Sequence, residues 1–380
     1  MSAFTHDLTP GLSRIRRVTS RGCAWAYYIH LPLIVIATWY ALAEASTAYW
    51  LGRPTVWAPL LYASGPSSAL ALAGALTLAV AYGLYVMLIV RPDRPVLHSA
   101  RNLRGLVSFE RLAMGAVVLV IVQVFASAVS EFKSMIPLIH GFRWDAWLAR
   151  ISPSLFGGKQ TYQLLQPVFG HEMITVMLDR LYVSWFILVW TMTLWQAFSL
   201  RDLRLRSQFW ISFFLTWVIL GTLAATVLSS AGPCFYGRVT GLQDPFAPLM
   251  AYLHQVDATH SLFALKAQAY LWSFYQKDAT GFGSGISAMP SMHVSVTTLL
   301  TLLGWRIHRG LGIGLTIYTS LILVGSVELG WHYLPDGIVA IVGTVAIWLV
   351  VGALLRRRGA GGLRASGHAA FVMDPAHRTA

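Results

Sequence analysis

The sequence has few charged residues for its length, and it has especially few lysines and cysteines. Charged residues make up 11% of the 380 positions, whereas a soluble domain contains about 25%. Hydrophobic residues make up 56%, and the mean hydropathy is +0.60. This composition excludes an ordinary soluble domain and predicts an all-α, polytopic membrane protein.

Cysteine occurs only at Cys23 and Cys234. Two residues so far apart in the sequence form neither a metal-binding motif nor a disulfide framework. Since the topology given below places them on opposite sides of the membrane, we expect no disulfide between them.

Acidic residues are scarcer than basic ones. Lys and Arg together number 28 against 15 Asp and Glu, which gives a net charge of +13. In an integral membrane protein such an excess reflects basic cytoplasmic loops that face anionic lipids. We therefore expect the membrane as a partner and no nucleic acid.

Apolar segments that approach the roughly 20 residues needed to cross a bilayer occur eight times along the chain. The sixth is short unless its helix begins within residues 288–291. Arginines occur in alternate connections, which predicts that both termini are cytoplasmic and that connections 230–290 and 328–335 face outward. The segments are 24–42, 68–90, 112–130, 181–200, 209–229, 292–305, 311–329 and 337–355.

The first candidate motif reads PSMH and contains Ser291 and His293 at the start of the sixth segment. Proline is favoured in the first turn of a helix, and a helix N-terminus suits a phosphate group. Glycines at 281, 283 and 285 would let the backbone approach such a group closely. A histidine at this point can give and take protons near neutral pH.

The second candidate motif contains His332 and Asp336, four residues apart across a proline. Asp336 can accept the Nδ1 proton of His332, which leaves a lone pair on Nε2 as a nucleophile or base. A lone histidine at a membrane interface is most often structural, and His-x-x-x-Asp alone is a weak signal. The two motifs on one side of the membrane together indicate a catalytic site, in which His293 is a separate acid and base.

These motifs resemble the second and third motifs of the type 2 phosphatidic acid phosphatase superfamily. The form Ala-Met-Pro-Ser-Met-His is closer to inositol phosphorylceramide synthases, and His-Tyr-x-x-Asp is similar to both that branch and the sphingomyelin synthases. The resemblance covers about residues 230–340. It implies that His332 attacks phosphorus to form a phosphohistidine, that Asp336 orients it, and that His293 exchanges protons with the leaving and accepting oxygens. It also implies chemistry without a metal, and we expect no cofactor.

The sequence departs from that superfamily at residues that would bind phosphate. The phosphatases have Ser-Arg seven and six residues before the nucleophilic histidine, where this chain has Gly325 and Ser326. A phosphoryl transition state needs cations or fixed dipoles, so other groups must replace the arginine. The candidates for phosphate binding are Arg238, then Lys277 and Lys266, with Ser291 at the helix start.

The resemblance also implies a six-helix core, which divides the chain into three parts. Residues 1–110 contain the N-terminus and two additional spans. Residues 111–355 contain the core, with an active-site loop at 230–290. In 131–180, aromatic and aliphatic residues between polar ones indicate either interfacial amphipathic helices or an ordinary covering domain. Residues 356–380 form a basic cytoplasmic tail that the composition predicts to be disordered.

These inferences favour a membrane lipid phosphotransferase that moves a phosphorylated head group from a phospholipid donor to a lipid or polyol hydroxyl. A lipid phosphatase acting on phosphatidate or a polyprenyl pyrophosphate would use the same residues with water as acceptor. A transporter ranks lower, because the predicted segments contain only isolated polar residues such as Gln123, Gln196 and His30. The excess of Arg over Lys favours a bacterial inner membrane, with the site on the periplasmic side. The donor, the acceptor and the oligomeric state remain open.

Overall fold

The computed structural model describes residues 9–53, 66–106, 108–199, 202–281 and 283–371. Over these ranges the chain is helical and contains no β-strand. The all-α class that the composition predicts is therefore confirmed. The side chain of Cys23, and with it the expectation of no disulfide to Cys234, lies outside the described residues.

Long helices alternate with groups of short ones along the chain. In order they are α1 (Thr9–Trp50), α2 (Pro66–Tyr85), α3 (Pro95–Leu106), α4 (Phe109–His140), α5 (Asp145–Leu155), α6 (Thr161–Phe169), α7 (Glu172–Phe198), α8 (Leu203–Val218), α9 (Tyr236–Thr240), α10 (Ala247–Thr259), α11 (Phe263–Gln276), α12 (Met292–Ile307), α13 (Arg309–Glu328) and α14 (Leu334–Phe371). Two helices continue beyond these bounds in π-helical turns. α2 continues through Val86–Val90, and α8 continues through Ile219–Ala224 and a last α-helical turn.

Seven helical segments of the described chain are long and apolar enough to cross a membrane. The protein is therefore an integral membrane protein with a helical bundle, as the sequence predicts. The remaining predicted span corresponds to α12, a helix of 16 residues that packs against α13 and α14. The seven segments are His30–Trp50, Ser68–Val90, Arg111–His140, Glu172–Phe198, Leu203–Val227, Arg309–Glu328 and Leu334–Arg357.

The first span extends further along the chain than the hydropathy pattern predicts. The predicted segment ends at residue 42, whereas the apolar helix continues to Trp50. It therefore includes Glu44, whose side chain is only 1% exposed. A carboxyl group is thus buried in a span, which the sequence analysis did not anticipate because the predicted segment stopped before it.

Helices also occupy more of the connections than expected. α4 continues to His140 and α7 begins at Glu172, so that only α5, α6 and their turns separate these spans within 131–180. α14 continues to Phe371, and residues 356–371 are therefore helical where the sequence predicts disorder. The Ala, Leu and Arg residues of this segment favour a helix, whereas its four glycines oppose one. Residues 372–380 of the predicted tail lie outside the described part of the chain.

Two large clusters of buried side chains make up most of the core in the described part of the chain. One lies between α1, α4, α7, α8 and α12 and includes Phe125 and Phe214. The other includes Leu249 and Leu253 of α10 together with Val294 of α12. Because α10 belongs to the connection between α8 and α12, this connection is folded onto the spans.

The start of α14 packs tightly against α12 and α13. A Cβ on Gly337 would lie 2.2 Å from Cδ1 of Leu323 and 3.8 Å from Cγ2 of Val294. A side chain at this position would have to displace the end of the Leu323 side chain. The N-terminal ends of α12 and α14, which carry the two candidate motifs, are therefore adjacent.

Candidate active site

The second motif forms a compact hydrogen-bonded unit at the start of α14. Nδ1 of His332 lies 3.3 Å from Oδ2 of Asp336, and the backbone N–H of Tyr333 donates to the same oxygen over 3.1 Å. His332 and Asp336 are 7% and 0% exposed. With its proton on Nδ1, His332 donates to Asp336 and keeps the lone pair of Nε2. The local sequence alone predicts this arrangement, because all three residues lie within one turn.

A backbone hydrogen bond connects the two motifs. The N–H of Ser291 donates to the carbonyl oxygen of Asp336 over 3.2 Å. The buried Ser291 hydroxyl accepts from the N–H of Val294 over 3.5 Å and so caps the N-terminus of α12. The helix cap therefore accounts for the serine of the first motif, and its predicted contact with phosphate stays a prediction.

Aromatic rings of α7 enclose the side chain of His293. The imidazole stacks on Tyr182 at 4.4 Å between ring centroids, with an interplanar angle of 17°. It also contacts Trp185 at 4.3 Å, and Trp185 Nε1–H donates to the His293 carbonyl oxygen over 3.2 Å. The ring of Phe186 stands edge-on at 6.0 Å. These contacts hold the plane of the imidazole in one orientation.

Tyr182 also connects His293 to the residue that precedes His332. Its ring is nearly parallel to that of Trp331, with 6.4 Å between centroids and an interplanar angle of 8°. Because Trp331 directly precedes His332, these ring contacts place His293 near the second motif. The catalytic roles of His293, His332 and Asp336 stay predictions.

A comparison with protein families covers the region that contains both motifs. The PAP2 superfamily matches residues 147–350, just over half of the chain. The chain belongs to the PAP2 superfamily. This confirms the superfamily that the motifs resemble, and membership supports a phosphatase-type function on phosphoesters. No curated protein and no solved structure matches the chain.

Asp145 supports the site of this PAP2 protein from outside the matched region. Its carboxylate accepts hydrogen bonds from the backbone N–H groups of Ala231 and Gly232, over 2.8 and 2.9 Å. The Tyr333 hydroxyl donates to it over 2.8 Å. Burial raises the pKa of Asp145 to about 6, while these hydrogen bonds act in the opposite direction. Burial also raises the pKa of Tyr333, which therefore keeps its proton and remains a donor.

The sequence analysis did not identify Asp145. The residue begins a short helix, α5, and an aspartate in a first helical turn is common for reasons of capping and dipole alone. Its partners, Gly232 and Tyr333, are distant in the sequence. Only the folded chain shows that it joins the connection after α8 to the second motif.

The three cations nominated for phosphate binding do not lie with the histidines. Arg238, Lys266 and Lys277 are all exposed. The guanidinium of Arg238 lies over the ring of Trp272, at 5.0 Å, and the amino group of Lys266 lies 6.0 Å from the ring of Phe263. None of the three lines the cavities that His293 and His332 line. Their predicted role in phosphate binding thus has no support in their positions.

The two histidines line different cavities. His293 lines a cavity of about 240 Å³ between α4, α7 and α8, whose walls are mostly apolar. His332 lines a much smaller cavity of about 10 Å³ together with Thr161 and Tyr162. Lys133 of α4 lines the larger cavity and was not nominated from the sequence.

Among the described residues, no set of three or more His, Cys, Asp or Glu side chains is arranged to hold a metal ion. The chemistry that the geometry offers is that of a nucleophile or base at His332, a carboxylate partner at Asp336 and a second imidazole at His293.

Proposed function

We propose that this protein is a membrane lipid phosphotransferase that moves a phosphorylated head group between lipids through a phosphohistidine intermediate. One observation carries the proposal: the buried pair of His332 and Asp336 is joined by a backbone hydrogen bond to the helix start that carries His293. A histidine paired with a carboxylate, beside a second histidine, is suited to nucleophilic catalysis with separate proton transfer.

In the first half of the reaction, Nε2 of His332 attacks phosphorus. A P–N bond forms, and the P–O bond to the leaving lipid breaks. His293 donates a proton to the leaving oxygen, which departs as a hydroxyl. Asp336 accepts the Nδ1–H of His332 and stabilises the positive charge that develops on the ring.

In the second half, His293 takes the proton of the acceptor hydroxyl. The acceptor oxygen attacks phosphorus, a new P–O bond forms, and the P–N bond breaks to regenerate His332. Both rings act on the same phosphoryl group in this mechanism, although His293 and His332 line different cavities. The mechanism therefore requires that the bound phosphoryl group lie where both rings reach it.

The surroundings of His293 favour transfer to a lipid over hydrolysis. Its ring is packed against Tyr182 and Trp185, and the cavity beside it is lined by side chains such as Phe125 and Val189. An acceptor lipid can enter such a cavity from the membrane, whereas water is disfavoured there. The motif forms AMPSMH and HYLPD favour the branch of inositol phosphorylceramide and sphingomyelin synthases, and hence a sphingolipid-type or polyol acceptor.

Hydrolysis is the second candidate, because membership of the PAP2 superfamily supports a phosphatase-type activity. In either case we place the catalytic core in the last six spans, with the active-site loop at 230–290. The distribution of arginines supports cytoplasmic termini and a site on the extracytoplasmic side, in a bacterial inner membrane. Neither candidate requires a metal in the steps above.

The test uses the full-length protein, purified in detergent, with a phospholipid labelled in its head-group phosphate. Candidate acceptors are ceramide, diacylglycerol and inositol, each added separately. The proposal expects label in a new phosphoester when an acceptor is present. Label that appears only as free phosphate, or as the free phosphorylated head group, would overturn the transferase and favour the hydrolase.

A further inference from the structure

Lys133 is one of four lysines in the chain and lies in the span Arg111–His140. It lines the same cavity as His293. A lysine in a membrane span is costly unless it faces an interior cavity, and such residues are commonly functional. The position of Lys133 thus calls for a ligand of opposite charge.

The remaining lining of the cavity is mostly apolar and aromatic, so that Lys133 forms a cationic surface against apolar walls. No acidic residue is among the described residues that line it. At about 240 Å³ the cavity approaches the size of small-molecule sites, roughly 300–1,000 Å³. A ligand with an anionic end and an apolar chain matches both surfaces.

The loop that leads to His293 packs directly against the backbone of Lys133. A Cβ on Gly285 would lie 2.7 Å from the carbonyl carbon of Lys133 and 2.8 Å from the N atom of Ser134. Gly285 also has a positive φ of 104°. The glycine therefore permits backbone contact between this loop and α4 at the position of Lys133.

From these observations we infer that Lys133 binds the phosphate of the lipid substrate and that the apolar part of the cavity takes one of its chains. This inference rests on the proposed function for the chemistry at His293, and it supplies the cation that Arg238, Lys266 and Lys277 do not. Lys133 precedes the PAP2 match, which begins at residue 147.

The test measures binding without turnover. Phosphatidate with a photoreactive group at the end of one acyl chain is cross-linked to the full-length protein in detergent micelles, and the modified residues are located by mass spectrometry. We expect cross-links to residues that line the cavity, such as Phe125 and Trp217. Lys133→Met should weaken binding about 10- to 100-fold, as expected for loss of a charged hydrogen-bond partner. Lys133→Arg should retain most of it, and Lys159→Met, at an exposed lysine, should match the wild type.

Two further cross-linking experiments test the roles of the phosphate and of the acyl chain. Diacylglycerol with the same photoreactive chain should cross-link weakly and equally in wild type and Lys133→Met. Ala126→Trp, which fills the cavity from an exposed position on α4, should reduce cross-linking by phosphatidate although Lys133 is intact. Inorganic phosphate at the same concentration should not displace the lipid. Efficient displacement would overturn the role of the chain and leave a simple anion site.

Failure of this inference is distinguishable from failure of the proposed function. If the wild type transfers phosphoester but Lys133→Met cross-links as well as the wild type, the role of Lys133 is overturned and the function stands. If the wild type transfers nothing, the cross-linking still decides whether the cavity binds a lipid phosphate. Size-exclusion profiles and thermal unfolding of each variant separate loss of binding from loss of the fold, and Lys133→Arg and Ala126→Trp keep the test decisive if Lys133→Met does not fold.

Discussion

The hydroxyl of Tyr333 donates a hydrogen bond to the carboxylate of Asp145, 2.8 Å away, although the two residues are 188 positions apart. Tyr333 follows His332 directly, and its backbone N–H also donates to Asp336. Asp145 in turn accepts from the backbone of the connection after α8. One buried carboxylate thus joins three separate segments around the proposed nucleophile. Its loss should change the position of His332 and leave the reacting groups themselves unchanged.

Tyr333→Phe removes this hydrogen bond and leaves the packing of the ring intact. We expect the free energy of unfolding to fall by about 1–2 kcal/mol and the rate of transfer to fall about 10-fold, because His332 is no longer held as firmly. Tyr252→Phe is the matched control, since its hydroxyl bonds that of Thr175 and neither residue lines the cavities of the two histidines. It should lose similar stability with little change in rate. Equal losses of rate in both variants would contradict the positioning role.

The raised pKa of Asp145 predicts a dependence of stability on pH. Its pKa is about 6 in the folded protein against an ordinary value of 3.8, so the folded state binds the proton more tightly than the unfolded state. The resulting stabilisation is complete below pH 3.8 and is lost as pH rises to about 6, by up to about 3 kcal/mol. Asp145→Asn should flatten this part of the curve, measured by denaturant unfolding in detergent. The same slope in wild type and variant would exclude Asp145 as its source.

The two histidines should differ in their effect on the covalent intermediate. His332→Ala removes the proposed nucleophile and should abolish acid-labile labelling by a phosphate-labelled donor. His293→Ala leaves the nucleophile in place, and the intermediate should form slowly and then persist because no base activates the acceptor. His254→Ala, at an exposed histidine of α10, should label as the wild type does. Labelling of His332→Ala at the wild-type level would rule out His332 as the attacking residue.

Asp336→Asn tests the orientation of His332. An amide cannot stabilise an imidazolium as a carboxylate does, and we expect the transfer rate to fall about 10²–10⁴-fold. Asp257→Asn offers a control. The carboxylate of Asp257 accepts from the N–H of Leu262 within the connection between α8 and α12, and it lies outside the two motifs. A normal rate for Asp336→Asn would mean that the carboxylate has no part in catalysis.

Two glycines of the loop before α12 distinguish the cost of a side chain at positive φ from the cost of a Cβ contact with α4. Gly285 and Gly283 both have positive φ, but a Cβ meets α4 only at Gly285, and nothing lies within 4 Å at Gly283. Each alanine variant should lose about 1–2 kcal/mol from its φ. Gly285→Ala should lose more than Gly283→Ala in thermal unfolding, because the loop must also move away from Lys133. Equal losses would show that the contact with α4 is unimportant.

The parts of this molecule that depend on local sequence could be predicted. Hydropathy located the spans, and the pair of His332 and Asp336 follows from their spacing within one turn. The predicted first span ended too early, at residue 42, whereas the apolar helix continues past Glu44 to Trp50. The helical segment 356–371 was expected to be disordered, since composition was weighed above helix propensity.

The parts that depend on tertiary packing could not be predicted. The rings that hold His293 come from α7, more than 100 positions earlier. Lysines are rare in this sequence, but nothing local shows that the helix of Lys133 faces the cavity of His293. Arg238 was the first candidate for phosphate binding, whereas the fold places it over Trp272 at the surface.

The hydrogen bonds of Asp145 and the position of Lys133 have a practical consequence for anyone who shortens this chain. The region matched by the superfamily begins at residue 147, after both residues. A fragment trimmed to that boundary would keep both histidines yet lose the carboxylate that bonds Tyr333 and the ammonium group in the cavity of His293. We therefore expect a fragment to work only if it also includes the span Arg111–His140.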